Sequence, residues 1–203
     1  MRLSLLFSLS LLCFFSSFVQ AADFRILVLG DSLAEGLGVE RSSSFPLVLQ
    51  KILLENGKSG IEVIASGVSG ATSASGPNRL KWFLKNPPRI LILELGGNDL
   101  LRGISPKETK KNLLRTIRMA KEKNMKVLLA GMKVPPNYGK DYVRDFENIF
   151  PEIANGEKIA LIPFLLDGVG GVASLNQSDG IHPNEKGHFA IAKTVYKYLE
   201  PML

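Results

Sequence analysis

The chain has 203 residues, 45% hydrophobic and 22% charged, with a formal net charge of +6. That composition excludes a disordered or fibrous chain and suits one domain with a sizeable core. The only cysteine is Cys13. If the N-terminal segment around it is removed, a disulfide, a thiol nucleophile and a thiolate metal site are all excluded.

Residues 1–21 differ from everything after them. Arg2 gives a positive start, Leu3 to Val19 is apolar apart from serines, and Val19-Gln20-Ala21 offers small residues at the cleavage positions. This is the layout of a secretory signal peptide. The expected mature domain is residues 22–203, in the periplasm or secreted. An uncleaved anchor is the alternative, but the segment sits at the short limit for a spanning helix and serines dilute it. Leu11-Leu12 before Cys13 are not the small residues of a lipidation signal.

Five apolar runs rich in β-branched residues then read as strands: Phe24–Leu29, Ile61–Ala65, Ile90–Leu95, Lys126–Ala130 and Ile159–Pro163. They lack polar–apolar alternation, which predicts a sheet covered on both faces. Helical patterns separate them. Phe45–Asn56 ends before Gly57, and Asn78–Lys85 stops before Pro87-Pro88. The next helix starts at Pro106, with Ser105 as N-cap and Glu108 three residues on, a capping-box spacing. Tyr142–Ala154 follows, with a break expected near Pro151, and Asn184–Leu199 closes the chain. Gly168–Gly171 reads as a mobile loop inside the domain. The order βαβαβαβαβα predicts an α/β fold, a five-stranded parallel sheet between two helical layers.

The basic excess between Lys107 and Lys126 includes Lys110, Lys111, Arg115, Arg118, Lys121 and Lys123. Leu113, Leu114, Ile117 and Ala120 supply an apolar stripe at helical spacing, so the charges read as a solvated helix face. Nucleic acid is not expected as a partner, and membrane-surface contact is at most weak.

In open parallel sheets, ligands sit beyond the carboxyl ends of the strands. The first strand is followed by Gly30-Asp31-Ser32-Leu33 and the second by Gly67-Val68-Ser69-Gly70. Gly96-Gly97-Asn98-Asp99 follows the third, and Met132 to Tyr138 the fourth. After the fifth, beyond a loop, comes Asp179-Gly180-Ile181-His182-Pro183. Polar, glycine-flanked groups thus collect at one rim. Only two histidines exist, His182 and His188. His188 lies inside the last helix, where a surface or core role is expected. A tight turn at Gly180 can bring Asp179 to the Nδ1 side of His182, leaving Nε2 free for a nucleophile. From this pair alone, a plain turn with Asp179 satisfying local amides reads equally well.

Ser32 places a hydroxyl where the first strand ends, or else it caps a turn. With a base beside it the hydroxyl becomes a nucleophile. The Ser32 amide, the Gly70 amide and the Asn98 side chain could together form an oxyanion hole, although a glycine and an asparagine each also mean turn. Leu100, Leu101, Pro135, Pro136 and Tyr138 could line an apolar acyl groove. Core packing accounts for the two leucines equally well.

These blocks, in this order, resemble the SGNH (GDSL) hydrolase family over about Ile26 to Gly187. Its thioesterase I/protease I/lysophospholipase L1 and arylesterase branch is the nearest in pattern. Glu94-Leu95-Gly96-Gly97-Asn98-Asp99-Leu100-Leu101-Arg102-Gly103 and Pro135-Pro136-Asn137-Tyr138-Gly139 extend the resemblance. It implies a flavodoxin-like three-layer α/β/α sandwich, with Ser32 as nucleophile, His182 as base and Asp179 as the acid that orients it. It also implies oxyanion donors at Ser32, Gly70 and Asn98. The reaction implied is hydrolysis of an ester or thioester, such as a lysophospholipid or aryl ester, with no metal and no cofactor. A monomer is expected. Three rivals compete with this reading. Ser69 could serve an α/β-hydrolase elbow, but Ala71 stands where that motif needs its last glycine. Asp31, Asp99, Asp179 and His182 could hold a metal for phosphoester cleavage. A noncatalytic binding module is the third, and it leaves the Asp179–His182 arrangement unexplained.

Overall fold

The computed structural model describes residues 24–203, with the side chain of Pro136 left aside. The expected signal segment, with Arg2 and Cys13, lies outside the described residues. Five parallel strands form one sheet in the order β2-β1-β3-β4-β5. They are β1 (Phe24–Gly30), β2 (Ile61–Gly67), β3 (Ile90–Glu94), β4 (Lys126–Ala130) and β5 (Ala160–Ile162). The central strands β1 and β3 hold Ile26 to Leu29 and Ile90 to Leu93 fully buried, as the unbroken apolar runs predict. The edge strand β2 is only half covered, because one side has no strand to pack beside. β5, at the other edge, keeps three residues of the expected five.

Helices cover both faces. α2 (Phe45–Glu55) and α7 (Glu185–Leu199) pack together on one side; α3 (Gly76–Lys81), α5 (Pro106–Lys121) and α6 (Lys140–Glu157) form a row on the other. The Ser105 Oγ accepts the Glu108 N–H at 3.3 Å, but the Glu108 carboxylate turns to Lys111 instead of back to Ser105. Half of the expected capping box therefore forms. The Asn184 side chain caps α7 through the amides of Lys186 and Gly187.

Three expectations need correction. α6 runs unbroken through Pro151. Phe146, Ile149, Phe150 and Ile153 bury one face on both sides of the proline, while Pro151 itself is exposed. There the carbonyl freed by the missing N–H can be hydrated. α3 starts two residues early, at Gly76-Pro77, and its tail Trp82–Leu84 relaxes into turns. Gly168–Gly171 is not loose. Val169 is buried, and its carbonyl and that of Val172 accept from the buried Asn176 amide at 2.7 and 2.8 Å.

His188 joins α7 to α2. It is 1% exposed, and its Nδ1 accepts the Phe45 N–H at 3.3 Å, so the ring is neutral with its proton on Nε2. Burial lowers its pKa from 6.5 to about 4. Between those values the unfolded chain takes up a proton that the folded chain refuses, so acidification favours unfolding. Stability should therefore fall by on the order of 3 kcal/mol between about pH 6.5 and 4 from this group. Denaturant midpoints measured across that range should slope downward with acid, and the slope should flatten in His188→Leu.

Candidate active site

The sheet order reverses beside β1, which places a crevice between the carboxyl ends of β1 and β3. Gly30 and Glu94, the last residues of these strands, are register partners. A Cβ on Gly30 would lie 2.1 Å from Glu94 Oε2 and 2.5 Å from the Ala34 side chain. Only glycine lets the chain turn there. Asp31 follows, 2% exposed. Its N–H donates to Glu94 Oε2 at 3.0 Å, while its carboxylate accepts the Leu33 N–H and the Asn98 side-chain amide, both at 3.0 Å. Asp31 is thus the cap of a short helix, α1 (Ser32–Glu35). Ser32 opens that helix, so its N–H is one of the orphan donors of a helix start.

Two carboxyls lie back to back here. Burial and the neighbouring Asp31 charge push the Glu94 carboxyl well above the usual carboxylate range. Burial also raises Asp31, but its two donors, Leu33 and Asn98, oppose that rise. Glu94 therefore holds the proton and Asp31 the charge. Gly30→Ala should destabilise the fold by about 1–3 kcal/mol through overpacking against this pair. The shift in denaturant midpoint measures it.

The other half of the site arrives after β5. Gly180, at φ +70°, makes the tight turn. Asp179 Oδ1 accepts the amides of Ile181 and His182 at 2.9 and 3.0 Å; its Oδ2 accepts from His182 Nδ1 at 2.7 Å. Both readings of the Asp179-Gly180 pair thus coexist, one on each carboxylate oxygen. The His182 N–H and ring, with the Ile181 N–H, hold the Asp179 carboxyl down at about 2. A carboxylate can only accept, so Nδ1 carries the ring proton and Nε2 accepts from Ser32 Oγ at 3.0 Å. The Gln177 side-chain amide ties this loop to the Leu37 carbonyl at 2.7 Å and the Pro183 carbonyl at 2.9 Å.

Gly70 sits in a turn closed by the Ala71 N–H to the Val68 carbonyl at 3.0 Å, with φ +75°. Among the described residues, neither the Ser32 nor the Gly70 N–H has an acceptor. Ser32, Gly70, Asn98 and His182 all line one cleft of about 510 Å³. Its walls are largely apolar. Leu100 and Pro135 line it, as does Leu101. Leu100 serves as core and wall at once, at 5% exposure.

Tyr138 is a correction: it is not among the lining residues. Its ring stacks on Tyr142 at 6.1 Å, the start of an aromatic series through Phe146 to Phe150. Pro136 opens a 3-10 turn, and its side chain lies outside what is described. The walls include residues that sequence reasoning missed: Leu33, Leu37, Met132, Val134, Phe164, Leu166 and Ile181. Their position after strand ends was the available signal. Glu94 was missed too, although one carboxyl in an apolar strand is a visible anomaly.

The rival readings find little support in this geometry. The Ser69 hydroxyl donates to the Glu35 carboxylate. Asp99 is fully buried, accepting from Ser73 and Thr109 at 2.5 and 3.2 Å. Among the described residues, no three His, Cys, Asp or Glu side chains converge as a metal site.

Known proteins resemble this chain in sequence and fold. The chain is 40% identical over 185 residues to "Esterase TesA" of Pseudomonas aeruginosa, covering 91% of this chain and 92% of that one. It is 36% identical to "Thioesterase 1/protease 1/lysophospholipase L1" of Escherichia coli K12, covering 92% and 88%. The solved structure of the psychrotrophic esterase EstA from Pseudoalteromonas, inhibited by monoethylphosphonate, superposes with a TM-score of 0.83. It is 30% identical and covers 89% of this chain and 98% of its own. The class is therefore that of an ester-hydrolysing enzyme on an α/β sandwich. A family model, the GDSL-like Lipase/Acylhydrolase family, matches residues 28–190. The chain belongs to that family.

Proposed function

We propose that the chain is a serine esterase that cleaves carboxylic esters or thioesters through an acyl-enzyme on Ser32. The observation that carries this reading is the unbroken series Asp179–His182–Ser32, with hydrogen bonds of 2.7 and 3.0 Å. His182 Nε2 takes the Ser32 proton as Oγ attacks the carbonyl carbon. Negative charge developing on the carbonyl oxygen meets the N–H groups of Ser32 and Gly70 and the Asn98 side chain. His182 then protonates the leaving alcohol or thiol. Water enters, loses a proton to His182 and releases the acid. Asp179 keeps the ring in the tautomer that can accept. No step needs a metal or cofactor.

Asn98 is prepared for this task. One proton of its amide is committed to Asp31 at 3.0 Å, which fixes the plane of the group and leaves its second proton for the oxyanion. Leu100, Leu101 and Pro135, with the missed apolar walls, would receive the acyl chain. The names of the relatives favour esters, thioesters and lysophospholipids as substrate classes. Residues 1–21 are proposed to be removed on export, giving a periplasmic or secreted enzyme. N-terminal sequencing of the exported protein should begin at about Ala22; a protein still starting at Met1 would refute removal.

Ser32→Ala should abolish turnover of a p-nitrophenyl ester and labelling by a fluorophosphonate, with the unfolding midpoint retained. Asn98→Ala should lower kcat by on the order of 10²-fold. The pH profile supplies a further test. Asp179 stays ionised down to about pH 2, so protonation of Asp179 itself should cost no activity between pH 8 and 5.

A further inference from the structure

The reading of Gly70 as an oxyanion donor raises a question of support. Gly70 hangs beyond the edge strand β2, in a turn whose neighbour Val68 is 49% exposed. A donor is useful only if it is already in place when charge develops. The turn's internal bond, from Ala71 to Val68, sets its shape, and the Val68 N–H, donating to the Gly30 carbonyl at 3.2 Å, fastens only the start of the turn to the strand end before Ser32.

Two charged side chains reach this turn from opposite sides. Glu35 ends α1, the helix that Ser32 begins. One oxygen of its carboxylate, Oε2, accepts the Ser69 N–H at 2.6 Å and also the Ser69 hydroxyl. Arg102 caps α4 (Gly97–Leu101), the helix that carries Asn98. Its Nη2 donates to the Gly70 carbonyl at 2.8 Å. The peptide units flanking the Gly70 N–H are therefore held, one by the nucleophile's helix and one by the Asn98 helix. The Asn98–Asp31 bond closes the third side. Each of the three donor-bearing segments is tied to the other two.

We infer that Glu35 and Arg102 are positioning residues that register the Gly70 N–H against Ser32 and Asn98. This rests on the acyl-transfer reading above. Neither residue touches the reacting atoms. Their ties are charge-assisted hydrogen bonds at the rim, and their loss should let the turn drift while the fold persists.

The test uses the full chain and its Glu35→Ala, Glu35→Gln and Arg102→Met variants. Steady-state turnover of a p-nitrophenyl ester, fluorophosphonate labelling rate and unfolding midpoint are measured for each. Glu35→Ala and Arg102→Met should each lower kcat about 10-fold, less than the 10²–10³-fold typical of losing a whole donor. KM should stay within about 2-fold, because the turn is needed in the transition state and not for substrate binding. Labelling should slow in parallel. Glu35→Gln should recover most of the rate, since its amide oxygen still accepts from Ser69. A kcat drop below about 2-fold in Glu35→Ala overturns the inference. So does a loss carried by KM, or a Gln variant no better than Ala, which would mark a charge effect instead of a tie. Turnover surviving in Ser32→Ala would sink the acyl-transfer reading itself. Ser32-dependent turnover with unaltered kcat in Glu35→Ala would sink this inference alone.

Discussion

The hydrogen bond from the Asp31 N–H to the buried Glu94 carboxyl is the constraint from which the rest of the rim follows. It joins the ends of the two central strands, β1 and β3, at the point where their register pairing stops. Gly30 must lack a side chain for that bond to exist. Once it forms, Asp31 is buried with its charge, and a buried charge must find donors. It finds the Leu33 amide, which starts the Ser32 helix, and the Asn98 side chain, which comes from the neighbouring strand end. One buried carboxylate thus sets both the entry of the Ser32 helix and the plane of the Asn98 amide, the proposed oxyanion donor.

The histidine side of the site is built on the opposite principle. Asp179 is exposed and owes its low pKa to three donors from residues two and three positions on. Its geometry is local, completed within one tight turn, and needs the rest of the protein only to deliver that turn to Ser32. Gln177 and Asn176 do the delivering, by fastening the loop to the Leu37 and Val169 segments. A locally built Asp179–His182 pair is thereby docked onto Ser32, the proposed nucleophile, whose own position depends on the sheet.

These two modes explain what was legible in the sequence. Ser32 could be placed because it lies beside a glycine at a strand end, and Asp179 and His182 because they flank Gly180 in the glycine-marked segment beyond the last strand, while the parallel topology sends the strand ends to one rim. Strands were readable from unbroken apolar runs, with ends off by one residue in β1 and β3 and by two residues in all in each edge strand, β2 and β5, where burial is one-sided and the run loses meaning. Pro151 misled because a proline's cost depends on whether its side of the helix meets water, which periodicity alone does not weigh. Tyr138 misled because an aromatic near a cleft can be claimed by other aromatics, and its partners Tyr142 and Phe146 lie on a helix face that only packing identifies. Leu100, Leu101 and Pro135 were legible as cleft wall from their place after strand ends, whereas the Glu35 and Arg102 ties were illegible. They depend on which side chains meet across segments far apart in sequence, and no spacing rule encodes that.

The loop after β5 bears a double duty. Residues 163–184 leave an edge strand that stands three places from β1, and cross the rim to bring His182 to Ser32. On the way the same loop contributes Phe164, Leu166, Gly170 and Gly171 to the cleft wall. Base and binding wall are therefore one piece of chain. An insertion there that deepened the cleft would also displace the imidazole, so under the proposed mechanism room for new substrates through this loop is bounded by proton transfer. The segment after β4 carries neither the base nor a proposed oxyanion donor, and substrate range can vary there at less risk to turnover.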